Sequence, residues 1–197
     1  MKNKLDFEKV VQNMADKLGV GTSFDIVRRD VKVGTKDAAF FFIDGFIKDD
    51  IMLWIMSILQ NAPREDVVPN TLTKLIQGKI PYVECESKEN LDDVEYMILS
   101  GAAALFVKGM EEVIIIDART YPARNPDEPE LEKVTRGSKD GFVETIVFNT
   151  ALIRRRIRDP NLRFELTNVG KRSKSDVAIA YIGDITNDDL VKSIKNK

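Results

Sequence analysis

The chain has 197 residues, of which 43% are hydrophobic and 31% charged, a balance typical of globular domains with a core of their own. The net charge of −2 gives no overall attraction to nucleic acid, so we predict no nucleic-acid partner. The chain has no histidine and a single cysteine, Cys85, which excludes histidine-activated nucleophiles, most zinc sites and an intrachain disulfide.

Patterns of helix and strand alternate along the first 120 residues or so. Apolar residues recur at helical spacing from Leu5 to Leu18, and Gly19 follows where helices commonly end. Runs rich in β-branched and aromatic residues on both sides of Gly34 predict a hairpin. In chain order we predict a helix at 5–18, strands at 24–33 and 38–43, helices at 48–60 and 70–77, a strand at 80–84, a helix at 91–99, and a strand pair at 103–107 and 113–117.

The segment 121–129 (YPARNPDEP) interrupts these patterns with three of the seven prolines, and proline cannot continue a helix or a central strand. We interpret it as a linker. Beyond it we predict an extended piece at 132–135, a helix at 142–158 stopped by Asp159-Pro160, strands at 163–169 and 176–182, and a last helix from about residue 187. The predicted fold is therefore α/β with mixed sheets, in two lobes that span residues 1–121 and 122–197.

The two lobes also resemble each other in sequence. Residues 37–43 (DAAFFFI) align with 176–182 (DVAIAYI), and 48–51 (KDDI) aligns with 187–190 (NDDL) at the same offset. One interpretation is a structural repeat of hairpin, loop and helix, which would make 38–43 and 177–182 equivalent buried strands. The other is chance similarity between two strand-to-helix connections.

No motif carries a catalytic signature. The stretch from Leu18 to Ser23 lacks the lysine of a phosphate loop and precedes a strand where a helix is required. Adjacent carboxylates such as Asp49 and Asp50 point about 100° apart on a helix and do not converge on one metal or proton. Cys85 has no histidine to activate it, and we interpret it as a packing residue. We predict no catalytic residue, no metal and no cofactor.

Arginine is concentrated in the last turn of the predicted helix at 142–158. Arginines occupy positions 154–156 and 158, although one or two would suffice to offset the helix dipole. Their side chains point in several directions, so they cannot share one role. We expect at least one to be paired with an acidic neighbour such as Glu132, Glu144 or Glu165, and at least one more to face a partner. An internal network and a partner surface both remain open.

The start of the same helix is expected to be a structured turn framed by Gly137 and Gly141. In this prediction Gly141 gives the helix start its backbone freedom, Phe142 packs inward, and Glu144 lies in the first turn. Ile146, Ile153 and Ile157 would continue one apolar stripe from Phe142 along the helix.

Several runs at fixed spacing in the second lobe resemble the A subunit of bacterial spore germinant receptors. They are PDEP at 126–129, EKVTRG at 132–137, DGFVET at 140–145, Asn149, LIRRRIRDP at 152–160, VGKRS at 169–173 and AYI at 180–182. The resemblance covers about seventy residues.

The resemblance implies a hydrophilic N-terminal domain that precedes several membrane-spanning helices missing from this chain. It implies a location in the inner spore membrane, with this domain on the cytoplasmic or core side. Its implied partners are germination receptor B and C subunits or other spore-membrane proteins, with a small nutrient as ligand. No catalytic residue is implied.

The candidate residues come from this family-like segment. Candidates for binding a ligand or partner are Arg136, Glu144, Asn149, Arg154, Arg155, Arg156, Lys171 and Arg172, and the structural motif residues are Gly137, Gly141, Phe142, Asp159 and Pro160. One hypothesis is a domain that senses a nutrient in a cleft between lobes. A second is a scaffold for assembly that binds no small molecule. A third is an α/β enzyme that binds a phosphorylated substrate through the arginines, against which the missing histidine and phosphate loop count.

Overall fold

The computed structural model describes residues 6–68, 70–80, 84–120 and 141–196. In chain order the helices and strands are α1 Phe7–Leu18, β1 Ile26–Val33, β2 Lys36–Ile43, α2 Asp49–Gln60, α3 Thr71–Lys74, β3 Cys85–Lys88, α4 Leu91–Leu99, β4 Ala103–Val107, β5 Val113–Ile116, α5 Ile146–Arg156, β6 Leu162–Val169, β7 Ser175–Ile182 and α6 Asp188–Lys195. A mixed α/β fold is thereby confirmed.

Five strands of the first lobe form one antiparallel sheet in the order β1-β2-β4-β5-β3. Successive side chains of its central strands point to opposite faces. In β2, Phe41 packs against α1 and α4 on one face, whereas Phe40 packs against α2 on the other. Because helices cover both faces, the central strands are continuous apolar runs without the alternation of a half-exposed sheet.

The remaining two strands form a separate antiparallel ribbon, β6–β7, whose base lies against the first lobe. Leu162 and Phe164 are buried there, while Leu166 and Val169 toward the far end are exposed. Helix α6 follows the ribbon and is attached to it by Lys195, which forms an ion pair with Glu165. Together with a hydrogen bond from the Tyr181 hydroxyl, this lysine holds the pKa of Glu165 below its usual range.

The structure corrects the predicted limits of three elements, two in the first lobe and one at the start of the second. The strand predicted at 80–84 is found at Cys85–Lys88, and residues 81–83 lie outside the described ones. The short helix predicted to end before Gly78 continues as a π-helical turn, Leu75–Lys79. The helix predicted at 142–158 spans only Ile146–Arg156.

The prediction that strand 177–182 is buried was wrong. No residue of β7 is buried, and Val177 is 39% exposed, whereas β2 is buried over most of its length. The difference follows from topology, because β2 is central in a covered sheet and β7 belongs to a two-stranded ribbon. The pairs β2/β7 and α2/α6 do begin at the same sequence offset, but the structural repeat stays a hypothesis. The linker at 121–129 and the piece at 132–135 lie outside the described residues, and the lobe boundaries stay predictions.

Cys85, at the start of β3, is half-buried and packs against the apolar cluster under α2. Burial raises the pKa of its thiol to about 11, with a smaller contribution from the charge of Glu86. The thiolate, which is the reactive form, is therefore scarce at neutral pH.

We expect Cys85 in the folded chain to react with Ellman's reagent about tenfold more slowly at pH 8 than in the urea-unfolded chain, because the loss of thiolate outweighs the higher nucleophilicity that a raised pKa gives. In the folded chain the reaction rate should keep rising until the pH exceeds the thiol pKa of about 11. In the unfolded chain it should level off above the ordinary thiol pKa of 9.0. The raised pKa also means that the contribution of this thiol to stability is present below pH 9 and is lost as the pH rises toward 11. Equal rates in the two states at pH 8 would contradict this environment.

Candidate functional site at the base of the ribbon

The arginines at the end of α5 differ sharply in their surroundings. Arg154 is fully buried, with no exposed surface, and is the largest fully buried side chain among the described residues. Arg155, Arg156 and Arg158 are exposed. The helix buries one face made of Thr150, Ala151 and Arg154, so the predicted apolar stripe through Ile146, Ile153 and Ile157 is not the face that packs inward.

Arg154 forms a two-pronged ion pair with Asp25, which precedes β1 and is 1% exposed. Its Nε donates to Asp25 Oδ2 at 2.8 Å and its Nη2 donates to Oδ1 at 3.2 Å. Nη1 also donates to the Asp159 carbonyl and Nη2 to the Leu162 carbonyl, both at 3.0 Å, and Nη2 makes a longer bond of 3.4 Å to the Ser23 hydroxyl oxygen. The guanidinium is therefore enclosed by acceptors of the protein itself.

Ser23 extends this network into the ribbon. Its hydroxyl donates to Asp25 Oδ1 and accepts from the backbone N–H of Phe164 at 2.9 Å. The neighbouring Phe24 N–H donates to the Phe164 carbonyl, also at 2.9 Å. The Phe164 ring lies 5.2 Å from the Arg154 guanidinium carbon, a cation–π contact. We call these four residues, Ser23, Asp25, Arg154 and Phe164, the junction.

The electrostatics of the junction explain why it has to be complete. A buried charge is costly unless it is paired and hydrogen-bonded, and the charges of both Arg154 and Asp25 are.

Asp44 lies close to the junction, and its backbone N–H donates to the Asp25 carbonyl at 2.8 Å. Burial raises the pKa of the Asp44 carboxyl, and the charges of Asp49 and Asp25 add to this.

The partner of Arg154 is not one of the carboxylates that we predicted. Glu144 is exposed, Glu165 pairs with Lys195, and Glu132 lies outside the described residues. Asp25 lies 129 positions away in the sequence, in the other lobe. The available signal was a serine and an aspartate two positions apart just before β1, alternating with the apolar residues Phe24 and Ile26. Polar side chains that are buried beside apolar ones are usually paired.

The segment before α5 corrects the predicted helix start. The Asn149 side chain accepts from the Val143 N–H and donates to the Val143 carbonyl, both at 2.7 Å. These two bonds hold residue 143 outside the helix, which begins after Thr145. Glu144 therefore precedes the first turn, and Phe142, predicted to pack inward, is 68% exposed. Gly141 lies five positions before the helix and does not form its start, whereas Arg136 and Gly137 lie outside the described residues.

The loop after α5 and the start of β6 each add an arginine contact to the first lobe. Asp159 and Pro160, predicted to stop the helix, lie beyond its end at Arg156, and the Asp159 carboxylate accepts from the Asn161 N–H at 2.7 Å. Arg158 donates to the Tyr96 hydroxyl of α4 at 3.0 Å. Arg163 donates to the Pro160 carbonyl and packs closely over the end of α1.

Lys171 and Arg172 are separated from the other candidates. They lie in the turn at the far end of the ribbon, and both are exposed. With a rise of about 3.3 Å per strand residue, this end lies roughly 20 Å from Phe164 at the junction. The predicted binding residues thus form two groups, one at the base of the ribbon and one at its far end.

Within the described ranges, no three His, Cys, Asp or Glu side chains are placed to hold a metal ion. No helix in that part of the chain is both long and apolar enough to cross a membrane. The fold and the junction together define a mixed α/β domain in which a buried arginine–aspartate pair attaches a two-stranded ribbon to a five-stranded sheet.

Comparison with known proteins gives this domain its family. The Bacillus/Clostridium GerA spore germination protein family matches residues 12–197, and the chain belongs to that family. The N-terminal domain of the A subunit of the Bacillus megaterium spore germinant receptor GerK3 has a similar structure, with a TM-score of 0.73 and 27% identity over 100% of this chain and 71% of that one. The resemblance inferred from sequence is thereby confirmed.

Two curated relatives extend the comparison. Stage V sporulation protein AF of Bacillus subtilis (strain 168) is 40% identical over 184 residues, which cover 92% of this chain and 37% of that protein. The uncharacterized membrane protein YfkQ of the same organism is 28% identical over 181 residues, covering 88% of this chain and 34% of YfkQ. The chain therefore spans little more than a third of the length of these relatives.

Proposed function

We propose that this chain is a non-catalytic assembly domain of a spore-membrane protein that acts in germination. The full-length protein would lie in the inner spore membrane, with this domain on the cytoplasmic or core side. Its partners would be germination receptor B and C subunits or other spore-membrane proteins. The GerA family match and the names of the similar proteins support the germination role.

The buried Arg154–Asp25 pair is the observation that favours assembly over sensing. A receptor that closes a cleft around a nutrient needs two arrangements of its lobes that differ by only a few kcal/mol. Opening this junction would leave two buried charges without their partners, at a cost of about 3–5 kcal/mol. A rigid connection of this kind suits a domain that presents fixed surfaces to other subunits.

Arg155 and Arg156 are the exposed surface beside the junction that we assign to partner contact. Arginine is enriched at protein interfaces because its planar group pairs with carboxylates in a fixed geometry. Arg155 and Arg156 are exposed, whereas Arg154 on the same helix is buried. The buried Arg154 holds the helix end in place, and the two exposed side chains face outward.

The test is co-purification of the full-length protein with its partner subunits from detergent extracts. We expect the double variant Arg155→Ala/Arg156→Ala to recover at least tenfold less partner while its melting temperature stays within about 2 °C of wild type. The exposed pair Arg29→Ala/Arg64→Ala is the matched control and should leave recovery unchanged. Unchanged recovery with Arg155 and Arg156 replaced would refute the assignment of this surface.

Nutrient sensing is the second candidate, and one observation favours it. A depression of about 390 Å³ lies beside the junction, lined by Thr22, Ser23 and Glu165 among others. This volume is at the lower end of small-molecule sites. A thermal-shift panel of amino acids, sugars and nucleosides separates the two candidates, since a ligand at 100 times its Kd stabilises a fold by about 2.7 kcal/mol. We expect no shift; a shift that Glu165→Gln abolishes would establish sensing instead.

A further inference from the structure

The far end of the β6–β7 ribbon is a basic surface that the junction does not explain. Lys171, Arg172 and Lys174 are exposed in its turn, and none has a side-chain ion pair within the part of the chain that the structure describes. The turn is well defined, since Gly170 and Lys174 have positive φ angles of 91° and 47° and the Lys174 N–H donates to the Gly170 carbonyl. Three cations therefore project from one ordered turn.

Exposed apolar side chains lie directly behind these cations. Val169 is 54% exposed and Val177 is 39% exposed. Val169 pairs with Ser175 and Thr167 with Val177, so the two valines are diagonal neighbours on one face, roughly 7 Å apart. Leu166 on the opposite face is 48% exposed. A charged turn that only faces water does not require exposed apolar side chains beside it. A partner surface with an anionic outer layer and an apolar layer beneath would contact both the cations and the apolar side chains.

We propose that the ribbon end binds a bilayer surface that contains anionic lipids. The three cations contact headgroup phosphates, and the valines lie at the boundary between headgroups and acyl chains. The inference rests on the proposed function only in placing this domain beside a membrane. A lipid surface is favoured over an acidic protein segment because the cations and valines lie together at the end of a projecting ribbon, which suits a broad planar surface.

The test uses flotation of the 197-residue chain with vesicles of phosphatidylcholine alone and of phosphatidylcholine mixed with phosphatidylglycerol. We expect binding to the mixed vesicles only, weakening as salt is added. The triple variant K171Q/R172Q/K174Q should bind roughly fivefold more weakly per cation removed, on the order of 100-fold in all. The control K9Q/R29Q/K48Q removes two exposed lysines and one exposed arginine elsewhere and should bind almost as wild type does.

A second variant, V169S/V177S, should also weaken binding to the mixed vesicles, because it removes the apolar contact and keeps the charge. Equal loss in the triple variant and its control, or equal binding to both kinds of vesicle, would overturn the proposal. Binding of the chain to polyglutamate but not to vesicles would overturn it in favour of an acidic protein partner. The vesicle assay contains no germination protein and the co-purification assay contains no vesicles, so each idea can fail without the other.

Discussion

Replacing Arg154 with methionine is expected to cost about 3–5 kcal/mol of the free energy of unfolding. Methionine fills a similar volume, so the main loss is electrostatic: Asp25, which is 1% exposed, keeps a buried charge without its partner. The carbonyls of Asp159 and Leu162 lose their donor at the same time. Urea denaturation followed by circular dichroism measures the effect.

The matched control is Arg156→Met, an arginine on the same helix end that is exposed. It should cost under about 1 kcal/mol, as surface substitutions usually do. The double variant Asp25→Asn/Arg154→Met should cost clearly less than the sum of its two single variants, because removing both charges leaves neither one buried alone. Equal costs for Arg154→Met and Arg156→Met, or strict additivity in the cycle, would show that the pair does not brace the domain.

The same variant should change the ribbon locally before the whole fold is lost. Phe24 and Phe164 share a backbone hydrogen bond, and the Phe164 N–H donates to Ser23. In Arg154→Met we expect faster hydrogen exchange at the amides of these two phenylalanines, while amides of the central strand β2 stay protected. This pattern would separate detachment of the ribbon from global destabilisation.

Most of the first lobe could be predicted because its pattern is local. The periodic apolar residues of α1 and the apolar runs of β2 and β4 identify helix and strand directly, and Gly19 ends α1 in the left-handed conformation that favours glycine. The antiparallel hairpins follow from the turns that connect adjacent strands. The sequence does not reveal which strands lie in the centre of a covered sheet. For this reason the exposure of β7, which belongs to a two-stranded ribbon, was not predicted.

The junction could not be predicted because it depends on long-range pairing. Sequence patterning indicated that four arginines could not all serve the helix dipole. This reasoning correctly identified the C-terminal end of α5 as the place of a paired arginine. It could not select Asp25 over nearer carboxylates, because proximity in the sequence says little about proximity across two lobes. The start of α5 was missed for a related reason: the bonds from Asn149 to Val143 compete with helix formation, and side-chain geometry decides that competition.

The second large effect is expected from Gly45→Ala, where α5 packs against the first lobe. Gly45 has a φ of 83°, and an added Cβ would lie 2.9 Å from Val147 Cγ1 and 3.4 Å from Ala151 Cβ. Gly21 has a nearly identical φ of 84° but no atom near its Cβ position, so Gly21→Ala carries the same backbone strain without the clash.

We expect Gly21→Ala to cost about 1–2 kcal/mol, the usual penalty for a side chain in the left-handed region. Gly45→Ala should cost a further 1–3 kcal/mol or so, because α5 has to shift to relieve the clash. That shift would move Arg154, which lies on the same buried face as Ala151, away from Asp25. Gly45→Ala and Arg154→Met should therefore be less than additive in urea denaturation. If the two glycine variants cost the same, the close packing of α5 at Gly45 is not what positions the junction.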